Sequence, residues 1–283
     1  MQIITHIGEM QALAESLRKQ GKRIGVVPTM GYLHEGHLSL IRLAREKTDV
    51  VITTLFVNPA QFGPSEDFGR YPRNLEQDQQ LAAQAGTDVL FCPEIAEMYP
   101  EGYATYVEVE GISSVLEGKF RPTHFRGVTT VVSKLLNITK PHMAVFGQKD
   151  AQQAFLIKKM VKDLNLDLQI LLATTVREHD GLALSSRNVY LNPDERLRAT
   201  ALYRSLKHAE QRVIQGERSA TRLRSEMVDI LSRAKPTKVD YVAFVNPESF
   251  SEVESLEPPS VLVVLAVWFG STRLIDNMLI PVS

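Results

Sequence analysis

Between Arg23 and Val57 the chain reads as an apolar run, a glycine-containing loop, an amphipathic run and a second apolar run, and this order restricts the fold most. The runs Arg23-Ile24-Gly25-Val26-Val27 and Val50 to Val57 are short and β-branched, and the second has the continuous apolarity of a strand covered on both faces. Between them Leu38, Leu40, Ile41, Leu43 and Ala44 keep helical spacing. Strand, helix, strand is the parallel crossover unit, and it needs a sheet with helices packed on it.

The pattern recurs along the chain. Helical spacing is expected from Gly8 to Gln20, Leu75 to Ala85, Val128 to Ile138 and Asp150 to Leu164. Strands are expected at Val89 to Cys92, Tyr103 to Val109, Met143 to Phe146 and Leu168 to Val176. This is an α/β chain with an open, mostly parallel sheet and helices on both faces. After Val176 the texture changes to helices over Pro193 to Gln215 and Ser219 to Ala234, then strands at Tyr241 to Val245 and Val261 to Phe269. The division expected is residues 1–178 for the sheet domain and 179–283 for a smaller α+β domain, hinged near Glu178 to Ser186 and able to act as a lid over the ligand site described below.

In open parallel sheets ligands bind beyond the carboxyl ends of the strands. The unusual residues gather there: Pro28-Thr29-Met30-Gly31-Tyr32-Leu33-His34-Glu35-Gly36-His37, the loop holding Gln61, and Gly147-Gln148-Lys149-Asp150. Free N–H groups at a helix entrance favour an anion, and two histidines beside them can donate to developing charge. From the residues alone an anion site and a plain surface loop both stand. A zinc site does not fit, because one residue separates Glu35 from His37 where H-E-x-x-H has two. Neither G-x-x-x-x-G-K-[ST] nor G-x-G-x-x-G occurs, so a P-loop and the dinucleotide fingerprint are both excluded.

With 32 basic and 33 acidic residues in 283, the balance argues against a general nucleic-acid or membrane-surface binder. A single cysteine, Cys92, no charged-then-apolar leader at Met1 and no long apolar span give the expectation of a soluble, cytoplasmic protein. Cys92 ends an apolar run and reads as a structural thiol.

The His34-Glu35-Gly36-His37 run resembles the H-x-G-H signature of the nucleotidyltransferase superfamily, a Rossmann-like fold. With it stand Phe56-Val57-Asn58-Pro59-Ala60-Gln61-Phe62, Tyr71-Pro72-Arg73, His124-Phe125-Arg126-Gly127-Val128, Phe146-Gly147-Gln148-Lys149-Asp150 and Gly181-Leu182-Ala183-Leu184-Ser185-Ser186-Arg187-Asn188. Together, in order, these resemble the pantoate–β-alanine ligases, and the likeness continues more weakly to Arg273-Leu274-Ile275-Asp276-Asn277. The resemblance implies that ATP and pantoate give a pantoyl adenylate and pyrophosphate, and that β-alanine then displaces AMP to give pantothenate. It assigns ATP to Met30, Gly31, His34, His37, Gly147, Gln148, Lys149, Asp150, Val176, Leu184, Ser185, Ser186 and Arg187, with His37, His34 and Lys149 catalytic. Gln61 and Gln153 are the pantoate and β-alanine positions, and Arg121, His124 and Arg126 rank below Lys149 and Arg187 as phosphate contacts. Magnesium is expected with the ATP without a dedicated protein cage, and a homodimer is expected. Two other readings stand beside this one: adenylation of a phosphate-bearing acceptor, and a nucleotide-binding regulator without chemistry.

Overall fold

In the computed structural model, which describes residues 1–64 and 66–283, the chain divides into two compact units. The first comprises residues 1–147 and 153–174, and the second residues 148–152 and 175–283.

The first unit is built on a six-stranded parallel sheet. Its elements are β1 (Gln2–Ile4), α1 (Ile7–Lys19), β2 (Ile24–Thr29), α2 (Glu35–Lys47), β3 (Val50–Leu55), α3 (Leu75–Ala85) and β4 (Val89–Phe91). They continue with α4 (Ile95–Met98), α5 (Glu117–Phe120), α6 (His124–Thr139), β5 (Met143–Gly147), α7 (Ala151–Asp163) and β6 (Gln169–Ala173). The strand order is β1-β4-β3-β2-β5-β6. From β2 the chain steps outward through β3 to β4, and from β5 it steps the other way to β6, so the order reverses between the neighbours β2 and β5.

Period-two alternation splits the core between two faces. Ile24, Val26, Ile52, Phe91 and Ala144 pack with Met10 of α1, Phe125 and Leu135 of α6 and Leu156 and Met160 of α7. Val27, Val51, Leu90, Met143 and Val145 pack with Leu40, Ile41 and Ala44 of α2 and with Ala82 and Ala85 of α3. Helices therefore cover both faces, as the continuous apolar runs required.

In the second unit α8 (Pro193–Ala199), α9 (Ala201–Ile214) and α10 (Ala220–Arg233) precede a three-stranded antiparallel sheet, β7 (Lys238–Val245), β8 (Ser260–Phe269) and β9 (Thr272–Pro281). Leu202, Leu206 and Val213 of α9 and Leu223, Met227 and Leu231 of α10 form one core with Phe244, Val263, Leu265 and Phe269 of the sheet.

Several elements differ from the sequence reading. The short helices α4 and α5 were not expected, and the stretch from Pro193 to Gln215 is two helices that meet at Thr200. Tyr103 to Val109 is not a strand. Its central backbone pairs with α6 side chains: the Val107 N–H donates to Thr130 Oγ1 at 3.0 Å, and Thr129 Oγ1 donates to the Val107 carbonyl at 2.6 Å. Strands β1 and β9 were not anticipated. The first is only three residues long, and the second buries Asp276 and Asn277, which interrupt its apolar signal.

Candidate active site

The loop after β2 leaves the sheet at the point where the strand order reverses, where parallel α/β sheets bind ligands. Helix α2 starts at Glu35, three residues earlier than its apolar spacing indicates, which makes His34 its N-cap and puts His37 in its first turn. The two imidazoles cap the helix reciprocally. His34 Nδ1 accepts from the Gly36 N–H at 3.2 Å, and His37 Nδ1 accepts from the His34 N–H at 3.3 Å. With both Nδ1 atoms accepting, each neutral ring carries its proton on Nε2 and is a donor there. The ring centroids lie 4.1 Å apart, so two such donors stand side by side at the positive end of α2.

This loop is held by a residue that the sequence reading missed. Asp78, on α3 and only 3 % exposed, accepts from the Tyr32 N–H at 2.8 Å and the Leu33 N–H at 2.6 Å. The backbone it grips is left-handed at both Gly31 (φ +84°) and Tyr32 (φ +52°). A Cβ at Gly31 would lie 3.0 Å from Asp78 Oδ2, so glycine serves both the turn and the close approach. The signal was present: Asp78 shares the buried face of α3 with Ala82 and Ala85, at helical spacing.

Gln61 stands in a 3-10 turn, Pro59–Gln61, after β3, and is 7 % exposed. Asn58 fixes its amide: Asn58 Nδ2 donates to Gln61 Oε1 at 3.0 Å and to the Gly127 carbonyl at 3.1 Å. Asn58 Oδ1 in turn accepts from the Tyr99 hydroxyl at 2.7 Å. Gln61 Nε2 then donates to Met30 Sδ at 3.2 Å, which ties this turn to the histidine loop. Gly127 is required by contact, because a Cβ there would lie 2.2 Å from the Ala60 carbonyl oxygen.

Arg121 and His124 brace this turn from below. Arg121 makes two 2.7 Å bonds to Glu66. The His124 Nδ1–H donates to the Gln61 carbonyl at 3.0 Å, and its Nε2 accepts from Arg121 at 3.1 Å. Arg126 lies over the Tyr106 ring, 3.9 Å from its centroid. All three are thus engaged by groups of this chain.

Gly147 ends β5, beside β2. Gln153 lies on α7, partly buried and, among the described residues, without a hydrogen bond of its side chain. The structure thus joins Met30, Gly31, His34, His37 and Gln61, but makes no hydrogen bond between Gln153 and Gln61.

The remaining assigned residues belong to the second unit. Gln148, Lys149 and Asp150 form a 3-10 turn that runs into α7, with Lys149 Nζ 3.9 Å from Asp150 Oδ1. Val176 and Leu184 face each other across a short hairpin, where the Leu184 N–H donates to the Val176 carbonyl at 3.0 Å. Ser185 then caps the turn 186–190, its Oγ accepting from the Arg187 N–H at 3.3 Å. Ser186 is buried. The hairpin is braced by Arg196, which bonds Glu178 at 2.7 Å and Asp180 at 2.8 Å, and the Arg196 hydrogen bond holds the Asp180 carboxyl below its ordinary pKa.

Cys92, at the end of β4, is partly buried, and burial followed by the charge of Asp78 pushes its thiol up to about 11. That is the behaviour of a structural thiol and not of a nucleophile.

Comparison with known proteins decides the family. A family model described as pantoate-beta-alanine ligase matches residues 2–279. The chain belongs to the pantoate–β-alanine ligase family. A pantothenate synthetase of Acetivibrio thermocellus is 54 % identical over 282 residues, 100 % of this chain and of the relative. One of Moorella thermoacetica is 53 % identical over 283 residues, again 100 % of each. Among solved structures, pantothenate synthetase from Thermus thermophilus is similar with a TM-score of 0.92 and 43 % identity, over 98 % of this chain and 99 % of that one. Pantoate-beta-alanine ligase from Francisella tularensis, complexed with Beta-gamma ATP and Beta-alanine, is similar with a TM-score of 0.80 and 38 % identity, over 99 % of this chain and 97 % of that one. Likeness over the whole chain, and not the histidine motif alone, separates this ligase from enzymes that adenylate phosphate-bearing acceptors.

Proposed function

We propose that this chain condenses pantoate with β-alanine in two steps through an enzyme-bound pantoyl adenylate. Membership of the family makes the overall reaction an ATP-dependent, amide-forming ligation. The observation that carries the residue assignment is the reciprocal histidine cap at the start of α2, at the reversal of the sheet order.

In the first step a pantoate carboxylate oxygen attacks the α-phosphorus of ATP, an O–P bond forms, and the bond to the β-phosphate breaks to release pyrophosphate. Negative charge grows on the departing phosphates, and the Nε2–H donors of His34 and His37 meet that need. We assign the acid role to His37. Met30, Gly31 and Gly147 let the nucleotide approach the backbone. Lys149 supplies a cation, and Gln148, Asp150, Val176, Leu184, Ser185, Ser186 and Arg187 complete the nucleotide contacts; hydroxyls and a guanidinium fork suit phosphate oxygens. Gln61 and Gln153 hold pantoate by neutral amides, which donate and accept without quenching the carboxylate as a nucleophile.

In the second step the β-alanine amine attacks the acyl carbonyl, a C–N bond forms, the C–O bond to AMP breaks, and the proton on the attacking nitrogen passes to water. Asp150 is the carboxylate nearest Lys149, and among the described residues no group of three His, Cys, Asp or Glu could hold a metal. That donor set fits magnesium carried on the triphosphate, with phosphate and water oxygens as its main ligands. The single cysteine and the use of ATP support a cytoplasmic setting, and the family resemblance supports a homodimer, which light scattering of the purified chain tests.

The deciding assay is exchange of labelled pyrophosphate into ATP with pantoate present and β-alanine absent. The adenylate route predicts exchange that depends on pantoate; folded, amide-forming enzyme that shows none overturns it.

A further inference from the structure

The segment Arg273–Asn277 has no place in the reaction as written, yet its last two residues are the most buried consecutive polar pair of β9, Asp276 at 3 % and Asn277 at 4 % exposure. A buried carboxylate and amide are costly unless every polar atom finds a partner. Their partners are specific. Asp276 takes a forked pair of bonds from Arg177, 2.6 Å to Oδ2 and 2.9 Å to Oδ1, and its Oδ1 also accepts from the Asn277 N–H at 2.8 Å. Asn277 Nδ2 spends both its hydrogens on consecutive carbonyls, Gln148 at 2.9 Å and Lys149 at 2.8 Å. Its Oδ1 faces Gln148 Nε2 at 3.5 Å.

Consecutive peptide carbonyls of an extended chain point to opposite sides. Here both converge on one amide nitrogen, which holds residues 148–150 in their 3-10 turn and fixes the direction in which Lys149 leaves it. Arg177 meanwhile donates to the Gly181 carbonyl at 3.1 Å and pairs by its backbone with Ala183. One dipeptide of β9 thus braces both segments of this unit that carry assigned nucleotide residues.

We propose that Asn277 is a positioning residue for the adenylation step, acting through Lys149, with Asp276 and Arg177 holding it in place. The inference rests on the reading that Lys149 contacts ATP. Asn277 itself touches no reacting atom; its part is to preset the Lys149 turn, so that binding ATP does not have to order it.

The test is Asn277→Asp, equal in size but unable to donate, which sets an acceptor against two carbonyl oxygens. Pantoate-dependent pyrophosphate exchange should fall about 10-fold or more, with KM for ATP raised, as expected for two lost buried hydrogen bonds. Release of pantothenate from supplied pantoyl adenylate and β-alanine should stay within about 2-fold, since that half-reaction does not use the triphosphate contact. In a Lys149→Ala background Asn277→Asp should cause no further fall, because coupled residues are not additive. Asn277→Ser, which keeps one donor, should be intermediate, and it reads the same coupling if the aspartate variant does not fold.

The outcomes separate two failures. If Lys149→Ala exchanges at the wild-type rate, the ATP reading of Lys149 fails and this inference with it. If Lys149→Ala is impaired while Asn277→Asp and Asn277→Ser are not, only the positioning role fails. Equal further losses in the Lys149→Ala background, or equal losses in both half-reactions, reduce Asn277 to a fold residue and also overturn the proposal.

Discussion

Asp78→Asn changes one oxygen to an amide nitrogen and isolates what holds the histidine loop. In the native chain the two carboxylate oxygens take one backbone N–H each, from Tyr32 and Leu33. An amide keeps one acceptor and turns a donor toward the other N–H. Leaving a buried donor unsatisfied costs about 1–3 kcal/mol. The left-handed Tyr32 adds to the pressure to leave this conformation, at about 1–2 kcal/mol for a non-glycine residue. The first cost alone lowers the population of the intact loop relative to opened forms by roughly 5- to 150-fold. Because the loop presents His34 and His37, pyrophosphate exchange should fall and KM for ATP should rise, with far-ultraviolet dichroism unchanged. Hydrogen exchange gives an independent measure, since the Tyr32 and Leu33 amides should lose protection by a similar factor. The charge of Asp78 is the second cause, after burial, of the raised Cys92 pKa, so alkylation of Cys92 should also quicken in the variant. Unchanged protection at Tyr32 and Leu33 together with unchanged exchange would refute the loop-holding role.

His37→Ala should lower kcat by about 10²-fold or more, the usual cost of losing one electrostatic donor, with little change in the melting temperature. Gln153→Ala should raise KM for pantoate more than KM for ATP, and equal losses for both ligands would contradict the assignment. Gly127→Ala should destabilise the first unit by about 1–3 kcal/mol through overpacking, and should weaken pantoate by pushing the Pro59–Gln61 turn away; urea titration and pantoate binding check the two parts. In the native protein iodoacetamide should modify Cys92 slowly at pH 8 and faster as pH rises toward about 11. The sign for stability follows: the folded thiol keeps its proton longer than the unfolded one, whose ordinary value is 9.0, so this contribution is present below pH 9 and is lost as pH rises toward about 11.

Much of the architecture could be read from side-chain periodicity because the sheet is covered on both faces. The runs at Val26 and Val51 had to be mostly apolar and free of charge, and α3 occupies the residues 75–85 that its spacing predicted. The histidine loop could be read for another reason: its residue types are uncommon at a strand end and have a narrow chemistry. Periodicity misled at Tyr103 to Val109, where alternation was present but the backbone partners were threonine hydroxyls of α6. Side-chain pattern states which face is buried and not what the backbone pairs with.

The residues whose bracing contacts the sequence reading did not give share one property. Asp78, Asn58 and Asn277 are buried polar groups whose partners are backbone atoms or amides of the segments carrying the assigned site residues. Read singly none of them shows its role: Asp78 interrupts the apolar face of α3, Asn277 the apolar run of β9, and Asn58 stands in the loop after β3. Burying them is unfavourable unless a loop or turn supplies matching groups. A carboxylate at the position of Asp78, on the face shared with Ala82 and Ala85, therefore implies a loop with free N–H groups packed against it, and the loop after β2 is the one that supplies them. The same logic ties Asn277 to two carbonyls of one turn. Polar interruptions of a core-facing pattern thus mark what holds a loop or turn in shape.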